Sequence, residues 1–455
     1  MKNTIYKLAL CAAVFVSSCK TGDDLYDSPN APKNVGPDLA LTSVEVNTIM
    51  NTEGDFARVA ALFTQQFAGI GGYAALQNYD LVTNDYNNHW DGLYSGTLYN
   101  AKLMIDKYSA TDPYYAGMAK VLTAINLSIA ADFWGDVPYS DAFQGGQYIF
   151  KSKYDKQQAI YQTIQTMLDN AIVDFGKPAS ANLHVPYLDD IYFKGEISQW
   201  VSATWTLKAR FANRLSLKDP QGSATQVLTY LAKGITTAAD NMENKHNKVS
   251  INQWGAFQPQ RPGYLVANKK MFDILKANND PRLDYYYQKT ATGVFAGSDI
   301  NVEQIATNSA IIGPYFDVER NYGLVTLHEA KFLEAEAKSR LGQPATTALN
   351  DAIRASVAYV TLGDDDGSSV ATYTAGTTNL TSIMTEKWKA MFGHIEVYND
   401  WRRTGLPALT PRPQSAGAAL SVIPKRLPTP TRESDGNPNA VFVPLDQAVW
   451  WAGGN

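Results

Sequence analysis

From Leu39 onward the apolar positions recur by three- and four-residue steps, the spacing that lines one face of an α-helix. Trp90, Leu93, Tyr94, Leu98, Ala101 and Ile105 form one stripe; Val121, Leu122, Ile125, Ile129 and Ala130 form a second. Ile160, Ile164, Leu168, Ala171 and Phe175 make a third. A fourth, with Trp200, Ala203, Leu207, Phe211, Arg214 and Leu215, stops at KDPQGS, and another helix is expected from Ala224 towards Ala239. Near 325–341 small and large residues alternate (Ala330, Leu333, Ala335, Ala337), Gly342 and Pro344 break the chain, and 348–362 is helical again. Two helix–turn–helix pairs, at about 196–240 and 324–362, suggest TPR-like stacking, although their spacing is too irregular for a clean repeat array. Strand signals are few, and RLDYYYQ at 282–288 is the best of them. Long loops are expected at 179–194, 248–263 and 363–376, and a Pro-rich stretch at 407–444 should wrap over the helical body.

Composition sharpens this picture. The 455 residues are 45% hydrophobic, ample for a large core. A net charge of -5 with no Lys/Arg run speaks against a nucleic-acid partner. Tyr is abundant at 26, beside 9 Trp, an excess that suits a surface gripping flat, partly apolar ligands such as sugars. At the N-terminus Lys2 and Lys7 flank an apolar run ending in VSSC, which reads as a signal peptide over 1–18. No other segment reaches the roughly 18 consecutive apolar residues of a spanning helix. Cys after two small residues resembles the lipobox of bacterial lipoproteins, in which the new N-terminal Cys, here Cys19, carries the lipid. The polar, Pro/Gly-rich residues 19–38 then form a tether, and Asp23–Asp24 resembles a Bacteroidetes surface-export signal. Cys11 leaves with the signal, so no free thiol remains for catalysis, metal binding or a disulfide.

Several stretches resemble catalytic or cofactor patterns in part. GIGGYA at 69–74 reads as G-x-G-x-x-A but follows a helix and opens into a polar loop, so it suits a flexible turn presenting Tyr73, not a dinucleotide site. GDDDGSS at 363–369 fails as a calcium loop, because its first and last ligand positions would be Leu362 and Tyr373. No two of the five His residues stand four apart, and neither G-x-S-x-G nor a Walker loop occurs, so no metal ligand set or nucleophile is assigned. In ADFWGDVPYSDAF, Asp132 and Asp136 have the separation of a glycosidase pair. Two carboxylates on one helical turn project the same way, however, and Gly135 and Pro138 mark a helix end. The expectation is that Gly135 stops a helix, Trp134 and Tyr139 pack, and the aspartates cap or pair with Arg and Lys.

Four stretches in order resemble one family. ADFWGDVPYSDAF, LHEAKFLEAEAKSRLG at 327–342, EKWKAMFGHIEVYNDWRRTGLP at 386–407 and IPKRLPTPTRE at 423–433 are similar to the hallmarks of SusD-like (SusD/RagB) outer-membrane nutrient-binding lipoproteins. NDPRLDYYY and the terminal VWW add weaker support. The resemblance implies a mainly α fold, with TPR-like helix pairs forming a right-handed helical scaffold, long loops and a few short strands, over 39–455. It implies no enzyme and no cofactor. It implies a surface-exposed outer-membrane lipoprotein that captures glycan and acts as the lid of a SusC-like TonB-dependent barrel. A peptide-binding lid and, behind it, a surface glycoside hydrolase stay open as alternatives. Family sugar contacts come from loops that match 69–88 and 248–264 here. The candidate ligand-binding residues are therefore Tyr73, Tyr79, Asn84, Asp85 and Tyr86 in the first, and Trp254, Gln258 and Arg261 in the second. In DWRRTG, Trp401 is expected to pack, and Arg402 or Arg403 to pair with carboxylates, Asp132 and Asp136 among the options.

Overall fold

The computed structural model describes residues 35–145, 150–302 and 309–454. The expected signal segment, Cys19 and the tether up to residue 34 lie outside the described residues. The fold is mainly helical, as the apolar periodicity predicts, with three two-stranded antiparallel sheets among the described residues.

Helix α1 (Pro37–Glu53) and helix α2 (Asp55–Phe63) follow one another across Gly54. Helix α3 (Tyr99–Tyr108) leads into the long helix α4 (Pro113–Trp134), started by a Pro in its first turn, where a missing N–H costs nothing. In length and hydropathy α4 would suit a membrane span, yet 94% of its apolar window is buried inside the protein. Helix α5 (Gln157–Phe175), α1 and α3 pack around it and make it the centre of the N-terminal half.

Helix α6 (Ile197–Arg214) and helix α7 (Pro220–Leu231) form the first helix pair. The Asp219 side chain accepts a hydrogen bond from the Gly222 N–H and Pro220 occupies the first turn, so α7 starts earlier than its apolar stripe suggested. It also ends earlier, at Leu231, and a turn through Gly234 replaces the helix expected towards Ala239. Helix α8 (Gln253–Gln260) and helix α9 (Lys269–Ala277) precede the second pair, helix α10 (Leu327–Arg340) with helix α11 (Thr346–Thr361). The pairs stack through α7 on α10, and helices α12 (Leu380–Ala390) and α13 (Glu396–Thr404) close the core.

Three local expectations are corrected. The stripe from Trp90 to Ala101 is buried as foreseen, but residues Gly92–Leu98 wind as a π-helix. The wider turn frees the Gly92 carbonyl, which accepts from Asn51 Nδ2 at 3.2 Å and from Thr97 Oγ1 at 3.1 Å. RLDYYYQ is mostly a helical turn, Leu283–Tyr286, with only Tyr287–Gln288 extended. Here a buried ion pair outweighs β propensity: Asp280 accepts from the Arg282 backbone N–H at 3.1 Å and from its guanidinium at 2.7 Å, pulling the chain into a turn. Finally, the expected loop 248–263 contains α8, because Asn252 Oδ1 caps it through the Trp254 and Gly255 N–H groups.

Candidate ligand-binding cleft

The stretch ADFWGDVPYSDAF folds as a structural junction. Gly135, at φ +89°, ends α4, and its N–H donates to the Ala131 carbonyl at 2.8 Å. Trp134 is buried and donates its indole N–H to the Pro428 carbonyl at 2.9 Å. Asp132 is buried; it accepts from Trp451 Nε1 at 2.8 Å, from Asn399 Nδ2 at 3.1 Å and from the Tyr161 hydroxyl, and it pairs with Arg214 at 3.2 Å. Arg214 also binds Glu396 at 2.6 Å. Burial raises the Asp132 carboxyl above its ordinary value, with Arg214 pulling the other way. Asp136 accepts from Lys156 Nζ at 2.8 Å and from the Gln157 N–H at 2.9 Å, starting α5. The arginine assignments shift by one partner. Arg402 takes the Asp132 backbone carbonyl at 2.6 Å, Arg403 pairs with Glu336 and Asp400, and the Asp132 carboxylate goes to Arg214.

The open site lies elsewhere, and a small sheet builds it. Strand β1 (Phe67–Gly69) pairs antiparallel with β3 (Leu265–Ala267), counting Met242–Asn244 as β2. That register places the chain leaving β1 beside the chain entering β3, and the Ile70 N–H donates to the Tyr264 carbonyl at 2.8 Å. Two loops some 190 residues apart in sequence thus become walls of one cleft of about 490 Å³. Gly72 lets the seam close: a Cβ there would stand 2.2 Å from the Tyr264 ring, which would have to move.

Three rings line the cleft. Tyr73 and Phe257 stack at 5.3 Å with an 8° interplanar angle, and Tyr264 stands edge-on to both at 6.1 and 6.3 Å. The Arg58 guanidinium lies 4.6 Å from the Phe257 centroid, donates to the Tyr73 hydroxyl at 2.9 Å and pairs with Asp55. The Tyr73 hydroxyl donates to Asp55 Oδ1 at 3.1 Å. Burial pushes the Tyr73 hydroxyl up to about 12. At Asp55 burial acts upward, but Arg58, His89 and the two hydrogen bonds outweigh it and hold the carboxyl below its usual value. Asp80, Asp85 and Arg261 stand at the rim, with Tyr86 and His89 on the floor. Burial lowers the His89 imidazole below its ordinary value.

Of the eight candidates, Tyr73, Asp85, Tyr86 and Arg261 line this cleft. Asn84 is exposed beside it and accepts from Asn87 at 3.4 Å. Gln258 is half-buried on α8 and is not part of the lining. Tyr79 and Trp254 correct the expectation. Tyr79 is buried against Phe63 and its hydroxyl accepts from the Arg412 N–H at 3.0 Å. Trp254 is fully buried, stacked on Phe316 at 4.5 Å and 8°. Neither ring reaches the lining of the cleft. The sequence reading missed Asp55, Arg58, Phe257 and Tyr264; Phe257 and Tyr264 lay in the right loop, whereas Asp55 and Arg58 sit on a helix with no loop signal.

Comparison with known proteins agrees with this architecture. Residues 29–430 match the SusD-like family described as "Starch-binding associating with outer membrane". No curated protein matches the chain. A SusD/RagB family protein from Bacteroides thetaiotaomicron superposes with a TM-score of 0.74 at 24% identity, over 93% of this chain and 100% of that one. A chitin-binding SusD homologue from Flavobacterium johnsoniae gives 0.78 at 20% identity, over 90% and 98%. A chitin-binding protein gives 0.77 at 22%, over 92% and 100%. These likenesses share the fold, and the family match spans most of the chain, including the Asp132 junction and both walls of the cleft: the chain belongs to the SusD-like family.

Proposed function

We propose that the chain captures a glycan in the Tyr73–Phe257–Tyr264 cleft and serves as the lid of a SusC-like TonB-dependent outer-membrane barrel, held by a lipid on Cys19 and facing the cell exterior. The observation that carries the reading is the cleft itself. Ring faces suit the C–H faces of sugars, and the surrounding carboxylates and guanidinium groups suit hydroxyls that both donate and accept. Binding without catalysis fits the carboxylate chemistry, because Asp132 is enclosed by four partners and Asp136 is spent on Lys156 and α5. The starch-binding description of the family and the chitin-binding neighbours support a carbohydrate. Affinity electrophoresis in soluble starch and in glycol chitin tests the reading. Retardation of the wild type without release of reducing sugar is expected; product formation overturns the non-enzymatic part.

One observation favours a second reading. The rim carries Asp80, Asp85 and Arg261 close to the Asp55–Arg58 pair, a density of charge that would also suit a peptide. Tight binding of a peptide mixture with no glycan bound would select that reading.

A further inference from the structure

A second aromatic cleft, of about 650 Å³, opens on the far part of the same helical stretch. Trp90 and Tyr94 stack at 4.3 Å, and Phe143 follows at 6.1 Å from Tyr94 and 6.0 Å from Tyr99, so the rings form a ladder. The buried members anchor it, whereas Tyr99 is 43% and Phe150 68% exposed. Both rings therefore stand open to solvent beside the cleft. Phe143 adopts φ +65°, a conformation that a bulky side chain takes only at a cost, and it places the ring in the middle of the ladder. Polar groups converge on the same cleft. Glu433 Oε1 accepts from the Tyr154 hydroxyl at 3.0 Å and from Asn437 Nδ2 at 2.8 Å, which fixes the carboxylate and leaves Oε2 free among the described residues.

We infer that this cleft is a second carbohydrate site for a neutral glycan. Exposed ring faces beside one oriented carboxylate are chemistry that recognises a sugar, and a volume of this size suits a small-molecule site. The carboxylate disfavours phosphate and other anions. The inference rests on the glycan reading of the first cleft, with which it shares the helical stretch: Tyr86 and His89 line one cleft, Trp90 and Tyr94 the other. Two sites on one chain hold a polymer that spans both more tightly than either alone, because the second binding event becomes intramolecular.

The test is retention in affinity gels of soluble starch and glycol chitin, with a thermal melt of each variant. Tyr99→Ala/Phe150→Ala changes two exposed rings and should leave the melt unchanged while weakening retention about tenfold. Residual retention in Arg261→Ala/Tyr264→Ala should disappear when the two changes are added to it. Retention of Tyr99→Ala/Phe150→Ala equal to that of the wild type overturns the second site and spares the first. A wild type retained by neither polysaccharide overturns the functional reading and the second site with it.

Discussion

Two regions of this protein use the same residue types to opposite ends. At the end of α4, rings and carboxylates meet as Phe133, Trp134, Asp132 and Trp451; at the cleft they meet as Tyr73, Phe257, Tyr264 and Asp55. In the first every polar atom of the carboxylate is occupied from within, and burial raises it. In the second the Asp55 side chain is 52% exposed and is held low by Arg58 and Tyr73. Solvent access separates a fold junction from a binding surface, and residue identity does not.

The comparison can be broken most severely at the junction. Arg214→Ala leaves Asp132 and Glu396 buried with their shared cation gone, a loss of about 3–5 kcal/mol of stability. Urea unfolding should show it as a large drop in midpoint, and a near-unchanged midpoint would mean the junction is less desolvated than described.

Acid should act on the same interior. Burial, with Arg210 beside it, lowers the His394 imidazole to about 4, and burial with His394 beside it lowers His328 to about 3. The native state therefore prefers both neutral, and His394 Nδ1 accepts from the Glu396 N–H at 3.1 Å. Their contribution is complete above an ordinary histidine value of about 6.5. It declines as pH falls from there through about 4 and about 3. At Glu396 burial acts upward, but Arg214 and Arg210 outweigh it and lower the carboxyl to about 2, so its contribution is lost between its ordinary value and that pH. Each amounts to a few kcal/mol, roughly, lost progressively below neutrality. Urea midpoints against pH should fall steadily below about 6.5, less steeply in His394→Asn; a flat profile down to about 4 would contradict the buried neutral imidazoles.

How much of this was legible follows the same division. Periodicity revealed the helices because burial imposes a stripe, and it placed Trp90, Leu93 and Leu98 in the core. It missed the π-turn, whose Gly92 carbonyl meets the distant Asn51, and it mistook RLDYYYQ for a strand, because the buried Asp280–Arg282 pair holds a turn there. The two loops that build the cleft were legible, yet their assignment residue by residue was not. Trp254 and Phe257 stand three apart in one loop sequence; only the Asn252 cap and the helix it starts turn the first inward onto Phe316 and leave the second under Arg58.

The smallest effect lies at the outer end of the same scale. Lys102 and Asp106 pair at 2.6 Å on the exposed face of α3. Lys102→Ala should move the urea midpoint by an amount equivalent to no more than about 0.5 kcal/mol. A shift comparable to that of Arg214→Ala would mean that solvent access is not what ranks these pairs.

The central claim is that the Tyr73–Phe257–Tyr264 cleft holds the ligand. Calorimetric titration of the wild type and of Arg261→Ala/Tyr264→Ala with maltooligosaccharides and chitooligosaccharides tests it most directly. The account predicts that one series binds the wild type and that the variant binds it about tenfold more weakly with its fold intact. Equal affinity in the two proteins would place the ligand elsewhere and contradict it.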